Sequence, residues 1–168
     1  IAEKVEGNLL AAYQEIQKLA LLYPEGTLSF DQVKHAILDV ARYDVFKLSG
    51  AMMTGDMGRY ARILEGLQGE GAALPHIVGT LSTSIRSLIA VRKGADSGQS
   101  VTQIMKQVGA WGTQQKAMEG AAARLSFRQL MNALVHLAEI DRISKGAARG
   151  DAWDELLQLG LRFSPARR

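Results

Sequence analysis

Asp31, His35 and Asp39 stand four residues apart, a spacing that puts a carboxylate, an imidazole and a second carboxylate on one face of a helix. Such a ladder could ligate a metal. At a rise of about 1.5 Å per residue, however, the outer two lie about 12 Å apart along the axis, so a single ion reaches only one neighbouring pair. A solvated polar face is the expectation, and no metal site follows. His76 sits behind Pro75 at a helix start, and His136 lies among apolar neighbours. Neither is part of a nucleophile and base set, and the chain has no cysteine to supply a thiolate or a disulfide. No GxxxxGK[ST] loop occurs, and RISKGAARG and GADSGQS lack the spacing and the preceding strand that would let backbone amides cradle phosphate. The residues name no catalytic group and no cofactor.

The remaining chemistry is cationic and aromatic. Lys145 and Arg149 sit in the short glycine-containing segment SKGAARG, where side chains can meet phosphates without reading sequence. An equally complete reading ends a helix at Gly146, with Lys145 at its negative end and Asp141 pairing with it from four residues back. Trp111 and Trp153, each near a helix start, are expected in the core, with a partner interface as the alternative.

These residues must be held by helices. Apolar residues recur at three- and four-residue spacings nearly throughout, no stretch alternates as a strand does, and the expectation is an all-α protein. The first helix is expected from about Asn8 to Tyr23, with Leu9, Tyr13, Ile16 and Ala20 on one face and Pro24 and Gly26 beyond its end. LSFDQV starts a second, where Ser29 and Gln32 can satisfy each other's amides and Leu28 can pack on Val33; Val33, Ile37 and Val40 are its expected buried stripe. LSFRQL repeats that start with Ser126 and Gln129, and Ser100 with Gln103 is a third case. Further helices are expected over 45–53, 56–67, 73–93, 100–107, 111–124, 126–145 and 151–163. That over 73–93 carries Leu74, Ile77, Val78, Leu81, Ile85, Leu88 and Ile89 as a broad apolar stripe. A domain boundary is expected near Arg42 to Asp44, because two helices cannot close a core alone.

At 168 residues, 47% hydrophobic and 22% charged, the composition is that of a globular protein. No uninterrupted apolar run approaches the roughly 20 residues of a membrane span, and no membrane partner is expected. A reducing, cytoplasmic setting suits a chain without cysteine. The net charge of +3 conceals an asymmetry: residues 1–80 hold seven Lys and Arg against ten Asp and Glu, residues 81–168 thirteen against seven. The second half could favour an anionic partner. The chain opens on Ile1 with a helix almost immediately under way, so a segment upstream is expected.

EGNLLAAYQEIQKLALLYPEG followed by LSFDQVKHAILDVARYDVF resembles the delta-subunit family of the bacterial DNA polymerase III clamp loader, with EGNLLAA and QEIxKL its most specific parts. DVFKLSGAMMTGDMGRYARILEGLQGEG, ALPHIVGTLSTSIRSLIAVRKG and LSFRQLMNALVHLAEIDRISKG follow in the order of that family's later helices. The resemblance implies a small helical AAA+ lid over residues 1–43 and a helical collar over 44–168, with the clamp-opening module of the family upstream of this chain. It implies a non-catalytic scaffold that joins the other loader subunits through the collar, and reaches the sliding clamp only through that upstream module. ATP-hydrolysing relatives carry an Arg in the first turn of the matching lid helix; here GNLLAAY puts Leu10 at that position, a lost nucleotide-sensing group, since an aliphatic side chain cannot stabilise phosphate charge. The alternative is direct binding of primer-template DNA by the basic half, through Lys145 and Arg149. An unrelated all-α enzyme would need converging titratable residues that the sequence does not offer.

Overall fold

The computed structural model describes residues 9–110 and 112–165; for 9–12, 14, 15, 18, 31, 34–44 and 113 it describes the backbone alone. Among these residues there are α-helices and no strands, an all-α fold. The elements are α1 (Leu9–Leu22), α2 (Phe30–Thr54), α3 (Met57–Gly69), α4 (Leu74–Asp96), α5 (Val101–Gln107), α6 (Thr113–Arg124), α7 (Phe127–Ser144) and α8 (Ala152–Leu161). The chain divides into two compact units, Ile1–Asp44 and Val45–Arg168.

In the first unit α1 ends where the Tyr23 amide donates to the Leu19 carbonyl at 3.0 Å, and Pro24 cannot continue the ladder. The Ser29 hydroxyl accepts from the Gln32 amide at 3.2 Å while the Gln32 side-chain oxygen accepts from the Ser29 amide at 2.8 Å. This is the reciprocal cap expected from LSFDQV. The expected α1 face is differently placed: Leu19 is buried, whereas Tyr13, Ile16 and Ala20 are exposed. Val33 is half-buried, and the side chains of Ile37 and Val40, like Asn8, lie outside the described residues.

The separate helices expected before and after residues 42–44 are one helix, α2. The reason is local: from Asp31 to Ser49 there is neither Gly nor Pro to interrupt the ladder. The boundary between the two units falls inside this helix.

In the second unit α4 is the central element, packed against α5, α6 and α7, while α8 packs on α7 and α3. Its stripe is the expected one extended by a turn: Ile77, Val78, Leu81, Ile85, Leu88 and Val91 are buried, and Leu74 and Ile89 are partly so. Among the described helices α4 alone has the length and mean hydropathy of a bilayer span, 23 residues at 1.2. Much of that hydropathy is the face turned to its neighbours.

Polar groups in this unit close the gaps between helices. Ser49 Oγ donates to Ser84 Oγ at 2.7 Å, joining α2 to α4 in the interior. Arg124 Nη2 donates to the Met53 carbonyl at 2.7 Å, and Arg92 Nη1 to the Ala122 carbonyl at 3.0 Å. Both guanidinium groups thus meet carbonyls at helix C-termini, which lack intrahelical donors and carry partial negative charge. Tyr60, wholly buried, donates its hydroxyl to the Leu156 carbonyl at 2.8 Å, and burial raises its phenol far above the ordinary value.

The helix starts vary in chemistry. Ser126 and Gln129 form the complete reciprocal cap at α7. Ser100 is at the N-cap of α5, but its side chain makes no capping bond, so the third expected box is absent. Gly55, at φ +74, ends α2 where a Cβ would meet the Pro165 ring at 2.8 Å. Any side chain there would be both strained and crowded.

Candidate functional site

Gly146, at φ +72, ends α7: its amide donates to the Ile143 carbonyl at 2.9 Å and the Ala147 amide to the Arg142 carbonyl at 2.8 Å. Only a left-handed residue folds the chain back to satisfy two terminal carbonyls at once, and glycine adopts that conformation without steric cost. A few residues on, Asp151 Oδ1 accepts from the Trp153 and Asp154 amides at 2.8 and 3.2 Å and starts α8. The 145–150 segment is therefore pinned at both ends by backbone closure.

Lys145 Nζ lies 2.5 Å from Asp141 Oδ2, with Lys145 exposed and Asp141 half-buried, as expected from the four-residue spacing. Arg149 is exposed and has no partner among the described residues. Arg142, one turn back, pairs with Glu139 at 3.1 Å. Leu10 is in the first turn of α1, and its side chain lies outside the described residues, as does Trp111. Trp153 packs half-buried against the core. His76 is exposed.

His136 is held on both ring nitrogens, by Glu155 on α8 and by Arg162 at the end of that helix. Arg162 Nε donates to Nδ1 at 3.1 Å, so the ring proton belongs on Nε2, which donates to Glu155 Oε2 at 2.6 Å. Neither partner was legible from sequence, because they lie 19 and 26 residues away, on α8 and just past its end. The arrangement ties α7 to α8. Among the described residues no group of three or more His, Asp and Glu could hold a metal ion.

Among the described residues, open grooves flank α4. One, about 460 Å³, is lined by Phe46, His76, Thr80, Thr83 and Gln114 among others. Another, about 410 Å³, runs between α4 and α7 and is lined by Pro75, Gly79, Ser82 and Arg86 on one side and Leu134, Ala138, Asp141 and Lys145 on the other. Lys145 is thus on a groove wall as well as at a helix end. Beyond that wall α7 exposes Phe127, Met131 and Val135. Sequence reading missed this face, although its signal was present: residues 127, 131 and 135 recur every four positions beside the inward set of Leu130, Ala133, Leu137 and Ile140.

The family model described as DNA polymerase III delta subunit, C-terminal domain, matches residues 42–156. Among curated proteins, DNA polymerase III subunit delta of Haemophilus influenzae is 26% identical over 166 residues, covering 94% of this chain and 48% of that protein. DNA polymerase III subunit delta of Escherichia coli is 29% identical over 156 residues, covering 93% and 45%. The chain spans about half the length of the curated relatives it matches.

Proposed function

The chain belongs to the family of the DNA polymerase III delta subunit, C-terminal domain, and on that premise we propose that it is the scaffold portion of a clamp-loader subunit in DNA replication. Residues 44–168 serve as a collar that packs against the other loader subunits, and residues 1–43 as the lid that couples their ATP-driven motion to a clamp-opening module preceding this span. The sliding clamp is engaged by that module alone. The chain itself makes and breaks no bond, uses no cofactor and works in the cytoplasm. Leu10, in place of the phosphate-sensing Arg of hydrolysing relatives, supports a subunit that does not turn over nucleotide. The observation that carries the reading is the family match across residues 42–156, nearly the whole of the second compact unit.

Helix-on-helix burial is the source of affinity in this reading, since obligate subunit contacts resemble a helical core cut in two. The test is native mass spectrometry of the full-length subunit, and separately of residues 1–168, with the loader's ATPase subunits. Both are expected to join the complex. If the full-length protein joins and the 1–168 chain does not, this span is not the scaffold.

A second reading, contact with primer-template DNA, is favoured by one feature: Arg149 is exposed on a pinned loop without a partner among the described residues, four positions along from Lys145. Lys145→Ala with Arg149→Ala should then weaken DNA binding equally across sequences and reduce the slope of log affinity against log salt by about one per lost contact. A slope unchanged by both substitutions removes this reading.

A further inference from the structure

We propose that the outward face of α7, together with the groove it forms against α4, is the docking site for an amphipathic helix of a partner subunit whose apolar stripe is flanked by Asp and Glu. The proposal deepens the scaffold reading and rests on it.

α7 is apolar on two faces. Its inward stripe, Leu130, Ala133, Leu137 and Ile140, is buried. Its second stripe, Phe127, Met131, Leu134, Val135 and Ala138, follows the i, i+4, i+7, i+8, i+11 pattern of an amphipathic face. Leu134 packs partly on the core, yet Phe127 is 43% exposed, Met131 38% and Val135 66%. A helix needs one apolar face to join its own bundle; a second contiguous one marks an interaction surface.

The α4 wall of the groove is built for close approach. Gly79 and Ser82 line it, and a Cβ added at Gly79 would meet nothing within 4 Å. A helix can therefore lie in the groove with its side chains against the α4 backbone. The three exposed apolar side chains alone fall well short of the roughly 800 Å² per partner of a stable interface. The occupant must cover the groove as well as the stripe, as a helix laid along it does.

Charge selects among occupants. The carboxylates on this side of α7 are already matched, Asp141 by Lys145 and Glu139 by Arg142. Among the described residues Arg86 on the groove wall donates only to Ser82, Arg128, one turn from Met131, has no partner, and neither meets a carboxylate. The rim is left cationic, and a partner rimmed by carboxylates complements it. In a symmetric pair of this chain the same cationic rim would face itself, which disfavours a second copy. Nucleic acid would match the rim but leave the apolar stripe against water.

The experiment uses the full-length subunit and its assembled complex. Met131→Asp with Val135→Asp alters the stripe, Arg86→Glu with Arg128→Glu reverses the rim, and Leu161→Asp, at an exposed apolar position on α8, is the control. Thermal melts by circular dichroism verify that each variant folds; the arginine pair, exposed at both sites, keeps the test valid if the apolar pair does not fold. Expected is a loss of about tenfold or more in assembly affinity for the stripe and rim variants and none for the control, with the rim effect shrinking as salt rises. Stripe and rim variants that assemble like wild type overturn this docking face while leaving the scaffold reading intact. Wild-type subunit that does not assemble overturns both. Loss of self-association in place of partner binding assigns the face to a second copy, and loss of DNA binding with assembly unchanged assigns it to nucleic acid; either overturns the proposal.

Discussion

Gly160 on α8 lies where the ring of Tyr60 on α3 passes, and a Cβ built at Gly160 would overlap that ring. Tyr60 cannot yield, because it is fully buried and its hydroxyl is bonded to the Leu156 carbonyl. Gly160→Ala should therefore destabilise the second unit, by about 1–3 kcal/mol in urea unfolding, although alanine is the better helix former. An increase in stability would contradict the close approach. The same tyrosine predicts a pH dependence. Burial raises the phenol, so above its ordinary value of about 10 the unfolded chain releases a proton that the folded chain retains. Stability contributed by this difference is intact below about pH 10 and falls as pH rises beyond it. Tyr60→Phe should flatten that alkaline decline while lowering stability near neutrality by about 0.5–1.5 kcal/mol for the lost hydrogen bond. Denaturant midpoints for both proteins between neutral and alkaline pH measure the two effects together. None of this was visible in sequence, since Tyr60 and Gly160 are a hundred positions apart.

At the scale of the element, local chemistry was legible and its limits were local too. The spacing S-x-x-Q marked three helix starts, and two of them carry the reciprocal cap while Ser100 and Gln103 do not. Ser126→Ala should cost about 1 kcal/mol and Ser100→Ala a few tenths at most, compared by thermal melts. Equal costs would show that the cap at Ser126 contributes nothing beyond its position. Two adjacent expected helices proved to be one, α2, because a boundary between compact units does not end a helix when no Gly or Pro is there to do it. At α7 the period-four recurrence of Phe127, Met131 and Val135 was readable, but periodicity alone does not say which of two apolar stripes a bundle will cover.

At the scale of the whole molecule, the second unit has a core of its own. Among the described side chains, those of residues 45–168 form one contiguous buried core, whereas in the first unit Leu19 is buried and Tyr13, Ile16, Leu21, Leu22 and Phe30 are exposed. Residues 45–168 expressed alone should fold cooperatively, with a single urea transition close to that of the corresponding transition in the full chain. A broad or strongly shifted transition would show that the second unit draws on the first for its core.

The amino-acid sequence by itself determined the all-α class, the caps at Ser29 and Ser126, the glycine stop at Gly146, the central stripe of α4 and the family resemblance, because hydrogen-bond closure and apolar periodicity act within a few residues. It also placed Lys145 beside Asp141, a pairing within a single turn. Tertiary structure alone decided that His136 is clasped by Glu155 and Arg162, that Tyr60 needs a glycine opposite it, and that one stripe of α7 is inside and the other out. Those facts depend on which helix arrives as neighbour, and packing settles that between residues far apart in the chain.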